Sequence, residues 1–257
     1  MGKGKARRAS ANEPGQRVLI ARRNSPARIN GASVHASLAS EIGQRIVRGD
    51  YPPGTILPNE QQWSEAFDVS RSAVREAIKM LMAKSLLASR PKVGSWVEPR
   101  ERWNLFDRDV LAWYSDSPDR AGFLKAVQEF RHIIEPEATA LAAERRSAEQ
   151  MAEISQACHE MGTAPTLPER TAADTRFHLA ILRASGNELL VPLGVLIESA
   201  LDRLFVFTTR EVNDIRHAQG LHEKIEKAVR LQRPEAARQA VRKLLKNTDE
   251  VIARAKL

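Results

Sequence analysis

The chain has 257 residues, 42% of them hydrophobic, which suffices for two modest domains or one large one. No stretch of 18 apolar residues occurs and no apolar run follows the basic N-terminus, so neither a membrane span nor a secretory signal is expected, and the cytoplasm is the expected compartment. The single cysteine, Cys158, excludes an internal disulfide, and the net charge is +8.

The charge is unevenly placed. Residues 1–30 carry eight Lys and Arg against Glu13 alone, which accounts for seven of the eight net charges. With little apolar periodicity, residues 1–32 read as a flexible basic arm, either simply solvated or adding non-specific phosphate contacts. Ordered sequence begins near Val34. Leu38, Ile42, Ile46 and Val47 have helical spacing, and Gly49 stops that helix. Tyr51-Pro52-Pro53-Gly54 is a turn cluster, after which Pro58 is expected to open a second helix with Trp63, Ala66 and Phe67 inward. Ser70 suits the N-cap of a third helix that runs to about Ser85 and buries Val74, Ile78 and Leu81. Leu86 to Val97 reads as two short strands with Pro91-Lys92-Val93-Gly94 at the tip.

Helix, tight turn, helix and β-hairpin make a winged helix-turn-helix, in which the helix after the turn fits the major groove. Arg71 and Arg75 are four residues apart and share one face of that helix, opposite Val74 and Ile78. An arginine there can fork onto guanine acceptors, while Ser70 and Ser72 can bond phosphate oxygens. Lys92 and Gly94 at the hairpin tip can approach backbone or minor groove. Taken alone, the helix is equally an amphipathic one with two solvated arginines.

Residues 99–119 read as a linker rich in charge and aromatics, and the chain from about Arg120 reads as helical. Its apolar series are Ile133, Ala138, Leu141 and Ala142; then Phe177, Ile181 and Leu182; then Leu190, Leu193, Leu196, Ile197, Leu201 and Leu204. The expected architecture is mostly α: a winged helix-turn-helix over 33–98 and an all-α helical-bundle ligand-binding domain over 120–257. Within the latter, Asp174 and His178 lie one helical turn apart, a workable pair of ligands for a divalent metal such as zinc, and His222 can add a third. Such a pair is far more often polar surface or a satisfied core histidine. Arg131 suits bidentate carboxylate recognition, or else a structural salt bridge to Glu135 one turn on. His35, His132 and His159 have no evident partner in the sequence.

Residues 34–98 resemble the DNA-binding domain of the GntR superfamily. The resemblance rests on Gly49 to Glu60, on Val69-Ser70-Arg71-Ser72-Ala73-Val74-Arg75-Glu76-Ala77 and on Val93-Gly94-Ser95-Trp96-Val97. It implies that Arg71 and Arg75 contact bases. Gln61 departs from the arginine many members carry there. Residues 120–252 resemble the FCD-type effector domain of the FadR-like branch, through Arg131 to Ala138, Asp174 to His178, Ser185 to Leu190 and His222 to Ala228. In that branch an Asp and three His hold a divalent metal that a carboxylate effector completes. Asp174, His178 and His222 match three ligands, and the fourth histidine, expected near Leu244, is missing. A metal held by three residues and a metal-free pocket both remain open. The segment Trp103 to Trp113 is similar to the linker of galactonate-type repressors of this family, which also depart at the fourth histidine, and implies a sugar-acid effector.

These expectations combine into a homodimeric, ligand-responsive regulator, a repressor of sugar-acid catabolism, with double-stranded operator DNA and a small carboxylate effector as partners. The alternative is a metal-dependent enzyme using Asp174, His178 and His222. It lacks a nucleophile motif, a clear general base and a phosphate loop, and it leaves the N-terminal module unexplained.

Overall fold

A computed structural model of the chain describes residues 33–115, 117–199, 201 and 212–254. The arm expected over 1–32 and Leu204 of the third apolar series lie outside these residues. The chain divides into two units, one up to Asn104 and one from Leu105.

In the first unit local signals set the element ends. Helix α1 (Val34–Arg48) buries Leu38, Ile42, Ile46 and Val47, and stops at Gly49, whose φ of 89° closes the last turn at no Cβ cost. Helix α2 (Glu60–Phe67) starts two residues later than expected. Pro58 precedes it, and Asn59 caps it through a reciprocal box with Gln62. Trp63 is fully buried, edge-to-face with Tyr51 at 6.2 Å and tilted against Phe67 at 5.4 Å. Helix α3 (Arg71–Ala83) is capped by Ser70, whose hydroxyl accepts from the Ala73 amide. It buries Val74, Ala77 and Leu81, with Ile78 only half-buried, and ends before Ser85 because Ser85 turns to φ 57°. Strands β1 (Leu87–Arg90) and β2 (Gly94–Val97) pair antiparallel, Leu87 opposite Val97 and Arg90 opposite Gly94, and Ile56 bridges to Trp96. The turn between them runs through positive φ at Lys92 (67°) and Gly94 (98°).

The stretch 99–119 carries structure of its own. A 3-10 turn spans Arg100–Arg102, and the indole of Trp103 donates to the Glu98 carbonyl at 2.8 Å. In the second unit helix α4 (Arg108–Ser115) places Val110, Leu111 and Tyr114 at helical spacing, all buried. Then follow α5 (Arg120–Arg145), α6 (Ala148–Thr163), α7 (Leu167–Ala184), a helical segment from 194, α8 (Val212–Arg230) and α9 (Pro234–Arg254). Capping boxes at Ser147 with Gln150 and at Thr166 with Glu169 start α6 and α7. One apolar cluster, including Ile154, Met161, Phe177, Ile225, Val241 and Leu245, joins α6, α7, α8 and α9.

Two expectations for this unit are corrected. Ile133 is 70% exposed, whereas the buried face of α5 carries Gln128, Arg131, Glu135, Ala138, Thr139 and Ala142. Leu190 and Leu193 fall in turns that precede the helical segment, while Ile197 and Leu201 are buried. Among the described residues no helix is long and apolar enough to cross a membrane.

Candidate functional site

In the first unit, Ser70, Arg71, Ser72 and Arg75 are all exposed on the first turns of α3. Ser70 is engaged twice, as the cap and with the Ser72 hydroxyl at 3.0 Å. Arg75 is engaged too: its guanidinium bonds both carboxylate oxygens of Glu60 on α2. Gln61, the departure from the family pattern, donates to Glu65 within α2 at 2.9 Å. Lys92 and Gly94 are exposed at the hairpin tip. The unit therefore presents two arginines and two hydroxyls on one helix, and a cation on the hairpin.

In the second unit, the helices bring together residues far apart in sequence. Asp174, His178 and His222 are each at most 5% exposed, and one ligand atom from each lies within 4.8 Å of the others. Asp174 Oδ1 is 2.9 Å from His222 Nε2 and 3.6 Å from His178 Nε2. With the ring protons on Nδ1, these three atoms have no hydrogen-bond partner and their lone pairs face a common point; a proton on His222 Nε2 makes the 2.9 Å contact a hydrogen bond to Asp174 instead.

The opposite nitrogens explain this arrangement. His222 Nδ1 lies 2.8 Å from the Ala218 carbonyl, and His178 Nδ1 lies 2.8 Å from Glu135 Oε2. Both partners only accept, so both Nδ1 atoms carry the proton and donate. In the neutral rings Nε2 is then a bare lone pair. Fixing one ring nitrogen by a carbonyl or carboxylate, to aim the other at an ion, is how metal-ligating histidines are oriented. Phe177 packs edge-on against both rings, at 5.7 and 5.4 Å, which limits their rotation.

Arg131, which sequence allows as either a carboxylate binder or a structural partner, is 1% exposed, and its Nε donates to Glu135 Oε1 at 2.5 Å. Its Nη1 also reaches Gln128 Oε1 at 3.5 Å. Glu135 thus bridges Arg131 and His178. Burial by itself would raise the Glu135 carboxyl, but the Arg131 charge and the hydrogen bonds from His178 and Arg131 hold it far below the usual carboxylate range. The Asp174 carboxyl is likewise held low: burial opposes this, and His222, His178 and Arg131 outweigh it.

Sequence reasoning did not place Glu135 in the site, nor Arg170. Arg170, one turn before Asp174, is 7% exposed and donates to the carbonyls of Met161 (2.6 Å) and Ile215 (3.2 Å), tying the end of α6 to the start of the helix that carries His222. The available signal was a charged residue four positions from a candidate ligand, in both cases on the same helix face. Among the described residues of this unit, the buried charged side chains are Arg131, Arg170, Glu135 and Asp174, which sum to zero with neutral imidazoles. Leu244, where a fourth histidine was expected, is 3% exposed in the apolar cluster. His132 sits outside the site and bonds Asp249 at 2.8 Å on the surface.

The donors suit a divalent ion such as zinc, which accepts two imidazole nitrogens and a carboxylate oxygen and keeps a position for another ligand. They are equally able to hydrogen-bond a polar molecule.

Comparison with known proteins finds a family match in each unit. Residues 35–97 match the family model described as bacterial regulatory proteins, gntR family, and residues 126–247 match that of the FCD domain. The chain is 34% identical over 216 residues to the HTH-type transcriptional regulator YieP of Escherichia coli (strain K12), covering 83% of this chain and 93% of that protein. It is 35% identical over 204 residues to the galactonate operon transcriptional repressor of the same organism, covering 77% of this chain and 88% of that one. Among solved structures, one described by its role for Lar in control of the Listeria monocytogenes agr system superposes with a TM-score of 0.60 at 16% identity. It covers 88% of this chain and 99% of that one, a likeness of fold alone.

Proposed function

The chain belongs to the GntR family of bacterial regulatory proteins, as a transcriptional regulator with an FCD domain behind its helix-turn-helix, and on that premise we propose that it is a repressor released from its operator by a sugar acid. The relatives it matches are transcriptional regulators, so the buried Asp and His residues are read as a binding site and not a catalytic one. In this reading residues 1–32 form a basic arm, 33–98 the DNA-binding domain, 99–119 the connection and 120–257 the effector domain, in a protein that works where the operator is, in the cytoplasm.

Arg71 and Arg75 read base edges, Ser70 and Ser72 contact phosphates, and Lys92 and Gly94 bring the hairpin to the backbone or minor groove. The observation that carries the effector proposal is the convergence of three buried ligand atoms, Asp174 Oδ1, His178 Nε2 and His222 Nε2, within 4.8 Å of one another. Those residues would hold a divalent cation, which when bound supplies a Lewis-acidic anchor for an anion. The buried charges around them sum to zero, so a cation there leaves a net positive site, and a carboxylate effector offsets it. Arg131 adds a guanidinium for the same carboxylate. An aldonate, with one carboxylate and many hydroxyls, suits such a polar site, and the galactonate operon repressor is among the relatives. Binding releases DNA only through a difference in affinity for two arrangements of the protein.

The test is thermal unfolding of the full chain after chelation, with zinc alone, D-galactonate alone, and both. Ligand at about 100 times its Kd should stabilise the native state by about 2.7 kcal/mol and raise the melting temperature by several degrees. Asp174→Asn should remove the zinc response. No response to any of a panel of sugar acids, with or without zinc, defeats the effector reading. An equal galactonate response in chelator defeats the metal alone.

We also propose a homodimer on a near-palindromic site, because one short recognition helix reads too few bases. Ile133 at 70% and Leu189 at 80% exposure, large apolar groups left in water by a single chain, support a partner surface. Light scattering should give twice the mass of one chain; a monomer both free and on DNA would refute the assembly.

A further inference from the structure

The recognition helix makes a contact that its apolar packing does not require. Glu60 is the first residue of α2 and Arg75 lies on α3, fifteen residues later. Arg75 Nε nevertheless donates to Glu60 Oε1 at 3.0 Å, and Arg75 Nη2 to Glu60 Oε2 at 2.8 Å. The side chains are 58% and 42% exposed. An exposed ion pair adds little to stability, because water and salt screen it and two long side chains lose freedom in making it. What a two-point contact does well is fix an orientation.

Glu60 is a firm anchor. It occupies the first turn of α2, behind the Asn59 cap, where the helix dipole favours a carboxylate. Its carboxyl is held below the ordinary value, first by the hydrogen bond from Arg75, with burial opposing, and then by the charges of Arg75 and Arg71. On the other side of the contact, a guanidinium has five N–H groups. Glu60 takes Nε–H and one hydrogen of Nη2, which is the side edge of the plane. The remaining hydrogens lie on Nη1 and the far side of Nη2, and they form the end-on fork that matches guanine O6 and N7.

We propose that Glu60 is a positioning residue for base reading: it clamps the side edge of Arg75 so that the end-on fork meets one guanine in the major groove. The inference rests on the reading of α3 as the recognition helix with Arg75 at a base edge. An arginine left free gives up rotamer freedom when it docks, whereas Arg75 has given it up beforehand. Glu60 also brings a negative charge toward phosphates, which disfavours DNA of any sequence. Removing it therefore acts with opposite sign on specific and non-specific DNA, a signature that a purely structural role does not produce.

The experiment uses the full chain and a duplex selected by the wild type from a random-sequence library. Binding is measured at fixed salt to that duplex, to its single-base-pair variants and to an unrelated duplex, for Arg75→Ala, Glu60→Ala, Glu60→Gln and the Glu60→Ala/Arg75→Ala double variant. Glu60→Ala should flatten the preference, by about 5- to 20-fold, at the same base pair that Arg75→Ala ceases to read. Its binding to the unrelated duplex should be unchanged or tighter, and its melting temperature unchanged. Glu60→Gln, with one acceptor oxygen, should fall between, and Glu60→Ala should change the base preference no further once Arg75 is gone. If Arg75→Ala keeps wild-type preference, the recognition-helix reading itself fails. If Arg75→Ala loses preference while Glu60→Ala retains it in full, the positioning role is wrong. Tighter binding of the selected duplex by Glu60→Ala, with preference intact, means that Glu60 masks Arg75, and this too overturns the proposal.

Discussion

Glu135→Ala should destabilise the effector domain by about 3–5 kcal/mol, the size of effect seen when one partner is removed from a buried ion pair. The reason is what stays behind. Arg131 is 1% exposed and its Nε bonds Glu135, so the substitution leaves a guanidinium in the interior without its carboxylate. His178 Nδ1 loses its acceptor at the same time. For a chain of this size, roughly 2–4 °C per kcal/mol puts the fall in melting temperature on the order of 10 °C. Replacing both partners together, Arg131→Met with Glu135→Leu, should recover most of that loss, since a buried pair is often no better than apolar groups of similar volume. The double variant should still bind zinc about 10- to 100-fold more weakly, because His178 has lost the group that orients it. Full stability of Glu135→Ala in thermal unfolding would show that Arg131 finds another partner. Wild-type zinc affinity in the double variant would show that Glu135 does not orient His178.

Arg71→Ala and Arg75→Ala should each weaken binding to a duplex selected by the wild type by about 5- to 150-fold, with the fold intact. Both side chains stand in solvent on one face of α3, opposite the buried Val74, Ala77 and Leu81, so their loss opens no cavity. The loss should fall mainly on specific DNA. Each variant should relax the preference at its own base pair, and the salt dependence of non-specific binding should change only by the charge removed. Fluorescence anisotropy against selected and unrelated duplexes decides the matter. Equal weakening on both would make these arginines phosphate contacts and not base readers.

Much of the first unit was legible because its signals are local. Ser70 as a cap, Gly49 as a stop and the Leu86–Val97 hairpin each depend on residues a few positions apart. The exposed pair Arg71 and Arg75 follows from helical spacing alone. The error at Pro58 was also local: the Asn59 side chain supplies the acceptor that starts α2, so the helix begins after the cap.

The Asp174 and His178 pair, one turn apart, was likewise readable from sequence, as was the suspicion that His222 belongs with it. Only the tertiary structure decided what surrounds them. Hydrophobic periodicity reports which helix face is buried when the buried groups are apolar. On α5 the interior face includes Gln128, Arg131, Glu135 and Thr139 beside Ala138 and Ala142, and Ile133 stands 70% in water, so the apolar pattern there finds the alanines but misses the polar part of the face and misplaces Ile133. Such polar groups are tolerated inside because each is paired: Arg131 with Glu135 and Thr139 with the Glu135 carbonyl within α5, Glu135 with His178 of α7, and Gln128 with the Leu245 carbonyl of α9. The i,i+4 pair is within reach of a spacing rule, but the partners on α7 and α9 lie up to 117 residues away in the chain, and no spacing rule within one helix can name them.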